Sequence, residues 1–283
     1  MWPSVTATCP TFGRFGRLQD SIACFLLQDY PGEKCLRICN DAHIPLQLTA
    51  SNGEEVVVGD KTKILLTNVA KRFPNVGLKR EAIADLVTTD LIAHWDDDDL
   101  YFPWHFSTLI GILRARPEID CVKPVRAFWA TGPPDKIKTG HLYGGVYDPQ
   151  MIYRRGTAVR VPDQVHSAIL VMLGDYWDKG TLDRCKELPV TDYSYAYRTH
   201  DGIRHMCKIG TRRSGEFLRA FARKNKDHRE GESLLPDSEL VEWARNRMRN
   251  QFTRFANGLK NVINAEPAKI LKQRFMEVLS GPS

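Results

Sequence analysis

The chain has 283 residues, 42% hydrophobic and 26% charged, which fits one large or two small globular domains and excludes a disordered, fibrous or collagen-like chain. Its formal net charge of +6 is unevenly placed: residues 201–283 hold 17 Lys/Arg against 10 Asp/Glu, and the first 200 residues are close to neutral. No apolar run approaches the roughly 20 residues a membrane helix needs, the N-terminus lacks the pattern of a secretory signal, and the seven cysteines carry no CxxC pair, so the expectation is a cytoplasmic protein with reduced thiols and no zinc framework.

Ser4–Cys9 alternates, is rich in β-branched residues and meets Pro10, which predicts a short strand ending in a turn. Arg17–Gln28 places Leu18, Ile22, Phe25 and Leu26 at helical spacing, and Asp29-Tyr30-Pro31-Gly32 stops it. Cys35–Cys39 is a second apolar strand ending at Asn40-Asp41. This strand–helix–strand opening predicts a βαβ unit and a parallel sheet, hence an α/β fold. Ser51-Asn52-Gly53 predicts a hairpin turn between Leu46–Thr49 and Glu55–Val58, and Ile64–Thr67 a further strand. Leu78–Val87 reads as a helix with Leu78, Ala82, Ile83 and Leu86 on its apolar face, followed by a buried strand over Leu91–Trp95. Pro103 opens a helix whose Phe106, Leu109, Ile110 and Leu113 face inward. Cys121–Val125 is a strand, and Phe128–Tyr147, rich in Gly, Pro and aromatics, is mostly loop. Ser238–Ile263 carries an apolar stripe from Val241 to Val262 with arginines opposite, read as a helix docked on the body or, alternatively, one lying on a membrane surface.

Asp96-Asp97-Asp98-Asp99 follows the strand Leu91–Trp95 directly. Ligands of open α/β sheets bind outside the carboxyl ends of strands. Carboxylates crowded there repel one another unless a cation is present. Oxygen-only ligands suit Mg²⁺ or Mn²⁺ bridging to substrate phosphates. The local reading is a divalent-metal diphosphate site; the alternative is a solvated acidic surface. A second charged feature is Arg204–Arg229, with nine basic and two acidic residues. It is either a solvated face or an anion-binding one, for a membrane surface, a phosphorylated acceptor or nucleic acid.

Two segments together resemble the family 2 glycosyltransferases of GT-A fold. The first is Val5-Thr6-Ala7-Thr8-Cys9-Pro10-Thr11-Phe12-Gly13-Arg14, continuing to Gln28-Asp29-Tyr30-Pro31 and Asn40-Asp41. The second runs from Lys79-Arg80-Glu81-Ala82 through Asp96-Asp97-Asp98-Asp99 to Pro103. The resemblance covers roughly residues 3–115, and it implies a Rossmann-like, mostly parallel sheet flanked by helices. It further implies a nucleotide-sugar donor, a Mn²⁺ or Mg²⁺ ion on its diphosphate, and a hydroxyl-bearing acceptor, most commonly a saccharide or lipid-linked saccharide. By position, Phe12 resembles the aromatic that stacks on the nucleobase, with Pro10 and Thr11 lining the same turn. Asp41 resembles the carboxylate that reads the base edge, and Arg80 the basic residue near the diphosphate. Asp98 is the implied metal ligand, with Asp96 and Asp97 acting through the ribose or a metal-bound water. The family's downstream general base falls on Asp175, in Leu173-Gly174-Asp175-Tyr176-Trp177-Asp178, with Asp178 as runner-up. His200, in Tyr195-Ala196-Tyr197-Arg198-Thr199-His200, resembles a late metal-shell histidine, with His205 close enough to compete. Three departures stand out: Phe12 where the family often has Tyr, Glu81 for Asn, and Gly174 where the base motif carries Glu.

The implied organisation is a donor-binding half over 1–125, an acceptor-binding and catalytic half over 126–215, and a basic helical C-terminal extension over 216–283. The activity the resemblance implies is a metal-dependent, inverting sugar transfer. The alternatives are transfer to a modified base in nucleic acid through segment 204–229, and a catalytically silent binding protein on the same fold.

Overall fold

The computed structural model describes residues 1–74, 76–124, 126–131, 137–141, 151–156, 182–183, 188–199 and 231–281. Strand β1 (Val5–Thr11) is buried along its whole length, as expected of a central strand covered on both faces. It pairs in parallel with β2 (Lys34–Asn40) and with β5 (Leu91–His94), and β2 pairs in parallel with β4 (Thr62–Asn68). The register sets Thr11 beside Asn40 and Asn40 beside Asn68. The carboxyl ends of β1, β2, β4 and β5 therefore lie along one edge. The sheet has eight strands, ordered β11-β7-β10-β5-β1-β2-β4-β3, with β3 (Glu55–Val58), β7 (Cys121–Val122), β10 (Ile152–Arg154) and β11 (Leu182–Asp183) completing it. Only β3 and β10 run antiparallel to their neighbours.

Helix α1 (Phe15–Leu26) buries Leu18, Ile22, Phe25 and Leu26, the face its spacing predicts. The turn leading into it needs Gly13, whose φ of +71° is left-handed and whose added Cβ would sit 3.2 Å from the Ala42 Cβ. Helix α2 (Val76–Ala84) departs from its predicted face: it ends before Leu86, which is 51% exposed, and buries Lys79 together with Ile83. The Lys79 charge is carried inward by an ion pair described below, an effect outside apolar periodicity. Helix α3 (His105–Ala115) buries Phe106, Leu109, Ile110 and Leu113 as expected.

The turn at Ser51-Asn52-Gly53 is present, closed by the Leu48 N–H on the Gly53 carbonyl at 2.9 Å. It does not join two paired strands. The backbone of Gln47 and Leu48 bonds to Ser233–Leu235 instead, and β3 pairs with β4. The stretch expected as loop from Phe128 contains two strands, β8 (Arg126–Thr131) and β9 (Ile137–His141), which pair antiparallel. They belong to a second sheet, ordered β6-β12-β8-β9, with β6 (Leu100–Tyr101) and β12 (Tyr195–Thr199).

The late helix runs over Leu240–Leu259 (α4) and buries Ala244, Met248, Phe252, Phe255 and Leu259, packing on α1 and on a further helix, α5 (Ala265–Ser280). Helix α5 was not anticipated, although Ala268, Leu271, Phe275 and Leu279 form its buried stripe and Pro267 sits in its first turn. Phe102, just beyond the aspartate run, meets Phe255 at 5.0 Å and Phe275 at 4.9 Å between ring centroids, both edge to face. The C-terminal helices thus close over the segment that follows the acidic loop. Among the described residues five cysteines are free thiols, and no helix is long and apolar enough to cross a membrane.

Candidate metal and nucleotide site

Strand β5 delivers the four aspartates to the carboxyl edge of the sheet, where the ends of β1 and β2 also arrive. The loop is held from beneath by a chain of hydrogen bonds. The Trp95 indole N–H donates to the Ser21 hydroxyl at 2.7 Å, and that hydroxyl donates to the Asp96 carbonyl at 3.0 Å. The Asp96 N–H donates to the Tyr101 hydroxyl at 2.7 Å, and the Tyr101 ring stacks on Trp95 at 3.7 Å. A loop braced this way keeps its carboxylates clustered despite their mutual repulsion.

Each aspartate has a different neighbourhood. Asp96 accepts from the Arg80 guanidinium. Asp97 is fully buried and accepts from the Thr11 hydroxyl at 2.6 Å and from Arg14, whose Nε lies 3.1 Å away and whose Nη2 completes a two-pronged contact. The remaining Arg14 nitrogen, Nη1, donates to Asp98. Asp99 is 1% exposed and accepts from the Tyr195 hydroxyl and from the Arg198 backbone N–H, the latter at 2.8 Å. Burial, reinforced by Asp98 and Asp96, raises the Asp99 pKa well above the usual carboxylate range. Burial also raises Asp97, with Arg14 acting in the opposite sense. Burial works against the Arg14 charge, and the fields of Asp97 and Asp98 outweigh it, leaving that guanidinium firmly protonated.

One carboxylate oxygen from each of Asp96, Asp98 and Asp99 lies within 4.8 Å of the others. Around Mg²⁺ or Mn²⁺, with oxygens at about 2.1 Å, opposite ligands stand about 4.2 Å apart, so the three carboxylates are grouped closely enough to take one ion with a small adjustment of their side chains.

The residues expected on the nucleotide side also converge. Pro10 and Thr11 end β1, and Phe12 is half-buried with the Arg72 guanidinium 4.6 Å from its ring centroid. Asp41 is buried and accepts from Lys79 Nζ at 2.5 Å and from the Phe73 N–H at 3.0 Å, while Lys79 also donates to the Thr11 carbonyl. Arg80 reaches the acidic loop. The structure therefore brings Pro10, Thr11, Phe12, Asp41, Arg80, Asp96, Asp97 and Asp98 to one edge. Asp175, Asp178 and His200 lie outside the described residues, as does segment 204–229.

Sequence reasoning gave no role to Arg14, Lys79, Tyr195 or Arg198. Arg198 is a junction: its Nε donates to the Asp98 carbonyl at 2.6 Å, and its Nη1 donates to Asp20 at 2.9 Å and to Gln251 of α4 at 3.3 Å. Pairing of β12 with β6 brings it there. The detectable signal was Tyr195–His200, read only for its histidine. His94, beside Tyr153 at 5.5 Å, is held neutral by burial, with Arg80 and Lys123 adding to the effect.

A mostly parallel sheet flanked by helices, with an acidic loop at the carboxyl edge and a C-terminal helical pair, is the GT-A fold of glycosyltransferases. The chain is similar in structure to S. aureus TarS. Against TarS residues 1–349 in complex with UDP-GlcNAc the TM-score is 0.52 at 10% identity, covering 98% of this chain and 90% of that chain. Against another crystal structure of TarS 1–349 it is 0.51 at 10% identity, covering 97% of this chain and 71% of that chain. Glucosyl-3-phosphoglycerate synthase of M. tuberculosis overlaps with a TM-score of 0.44 at 13% identity, covering 79% of this chain and 78% of that chain, too low to add to the assignment. At these identities the likeness establishes the fold. No protein-family model and no curated protein matches the sequence.

Proposed function

We propose that this protein is a metal-dependent, inverting family 2 glycosyltransferase that moves a sugar from a nucleoside-diphosphate donor to an acceptor hydroxyl, on a saccharide or lipid-linked saccharide. The observation that carries this reading is the convergence of Asp96, Asp98 and Asp99 at the carboxyl edge of a GT-A sheet. Support for the donor class comes from the TarS structure with bound UDP-GlcNAc and from Phe12, Asp41 and Arg80 sharing that edge.

Asp96, Asp98 and Asp99 would hold Mn²⁺ or Mg²⁺, which supplies charge neutralisation to the departing diphosphate. Phe12 offers a face to the base, Asp41 an acceptor to its edge, and Arg80 a cation toward the phosphates. Asp175, with Asp178 as the alternative, takes the acceptor's hydroxyl proton as that oxygen attacks the anomeric carbon; the bond from that carbon to the diphosphate breaks, and the configuration inverts. The basic segment 204–229 supports contact with an anionic acceptor or surface.

The test is a panel of nucleotide sugars incubated with Mn²⁺. Slow donor hydrolysis is expected, abolished by EDTA and by Asp98→Ala. If no donor is hydrolysed and no nucleotide binds in a metal-dependent way, the chain is a silent binding protein on this fold.

A further inference from the structure

Arg14 stands at the entrance to α1, directly after Gly13, whose left-handed backbone turns the chain from β1 toward the acidic loop. Its guanidinium grips Asp97 with two nitrogens and Asp98 with the third. The gripped carboxylates differ in one respect. Asp97 is fully buried, accepts also from Thr11, and stands outside the trio whose oxygens fit one ion; Asp98 belongs to that trio. The Arg14 side chain is 24% exposed and Asp98 is 6% exposed, so both stand nearer solvent than the fully buried Asp97. One carboxylate thus serves an arginine and lies within reach of a metal position. Two cations drawn to the same few ångströms repel, and the arginine cannot lose its proton to relieve this.

We propose that Arg14 is the site's resident counter-ion, bridging Asp97 and Asp98 when no divalent ion is bound and yielding Asp98 to the ion on loading while keeping its two-pronged hold on Asp97. This rests on the metal-dependent reading above. Arg14 then has two consequences: it lets the acidic loop stay folded without metal, and it weakens the metal's grip, so that the ion is held firmly only once a donor diphosphate adds its own oxygens.

The experiment measures Mn²⁺ binding by electron paramagnetic resonance, and melting temperature with and without Mn²⁺, for wild type, Arg14→Met and Arg14→Lys, all without donor. Met keeps the aliphatic stem and removes the charge; Lys keeps one charge and loses the fork. Expected is about tenfold tighter Mn²⁺ binding by Arg14→Met, a lower melting temperature than wild type in EDTA, and a larger rise on adding Mn²⁺. Arg14→Lys is expected to bind near the wild-type level, because the competing charge remains, yet to melt lower in EDTA. Equal or weaker Mn²⁺ affinity in Arg14→Met, beside measurable binding by wild type, overturns the counter-ion proposal and leaves the metal site standing. Absence of Mn²⁺ and Mg²⁺ binding in all three proteins overturns the metal reading itself. Should Arg14→Met fail to fold even with Mn²⁺, Arg14→Gln replaces it under the same criteria.

Discussion

The pair Lys79–Asp41 allows a stability prediction with a definite size. Both side chains are almost wholly buried, at 6% and 5% exposure, and their charged atoms lie 2.5 Å apart. Lys79→Met keeps the length of the side chain and removes the ammonium. Asp41 is then left with the Phe73 N–H, and the Thr11 carbonyl loses a donor. Breaking one side of a buried ion pair costs about 3–5 kcal/mol, because the surviving charge stays out of water without its partner. For a chain of this size each kcal/mol moves the melting temperature by about 2–4 °C, so a fall of roughly 6–20 °C is expected. Adding Asp41→Leu removes the orphaned charge, so the double variant should recover at least half of the loss, since apolar replacement of a whole buried pair is often neutral. The assay is urea unfolding followed by tryptophan fluorescence, with the four proteins compared as a double-mutant cycle. A loss below about 1 kcal/mol for Lys79→Met, or a double variant no better than the sum of the singles, would refute the reasoning. Because Asp41 also lies where the base edge is expected, the same variants should change nucleotide affinity more than metal affinity.

Three further outcomes are expected. Replacing Asp175 with Asn should lower sugar transfer by about a hundredfold or more while donor binding, read by calorimetry, stays near wild type; retained transfer assigns the base elsewhere, Asp178 first. Burial depresses the His105 pKa to about 3, so the ring is neutral in the folded protein and its contribution is complete above the unfolded value near 6.5. That contribution is lost as pH falls from about 6.5 toward 3, worth up to roughly 4–5 kcal/mol. Unfolding free energies at pH 7 and pH 4 should therefore differ less in His105→Gln than in wild type, and equal differences would contradict this. Chelation should leave the wild-type fold intact by circular dichroism while abolishing donor hydrolysis, since Arg14 and Arg80 already neutralise part of the acidic cluster; unfolding in EDTA would count against this.

The fold of the N-terminal part was legible because its signals are local. Apolar runs mark β1, β2 and β5, 3.6-residue spacing marks α1 and α3, and the acidic run directly follows a strand. What stayed hidden depends on contacts remote in sequence. Arg14 meets Asp97 across 83 positions, and Arg198 meets Asp99 across 99. No periodicity reports such pairings. The buried Lys79 ran against the apolar pattern because a charge enters a core once its partner is there. Strands β8 and β9 were hidden because the stretch is rich in Gly and Pro, residues that disfavour strands, and one of them, Gly140, nonetheless lies within β9. Helix α5 carried a readable stripe, but the reading ended the late helix at Ile263 and assigned no separate helix beyond it.

The aromatic seam joining Phe102, Phe255 and Phe275 has a practical implication for anyone redesigning or subcloning this chain. A fragment trimmed to its first two hundred residues would strip the lid from several large rings beside the acidic loop and offer neighbouring molecules a sticky apolar scar. The tail and the opening segments should accordingly be inherited, swapped and engineered together.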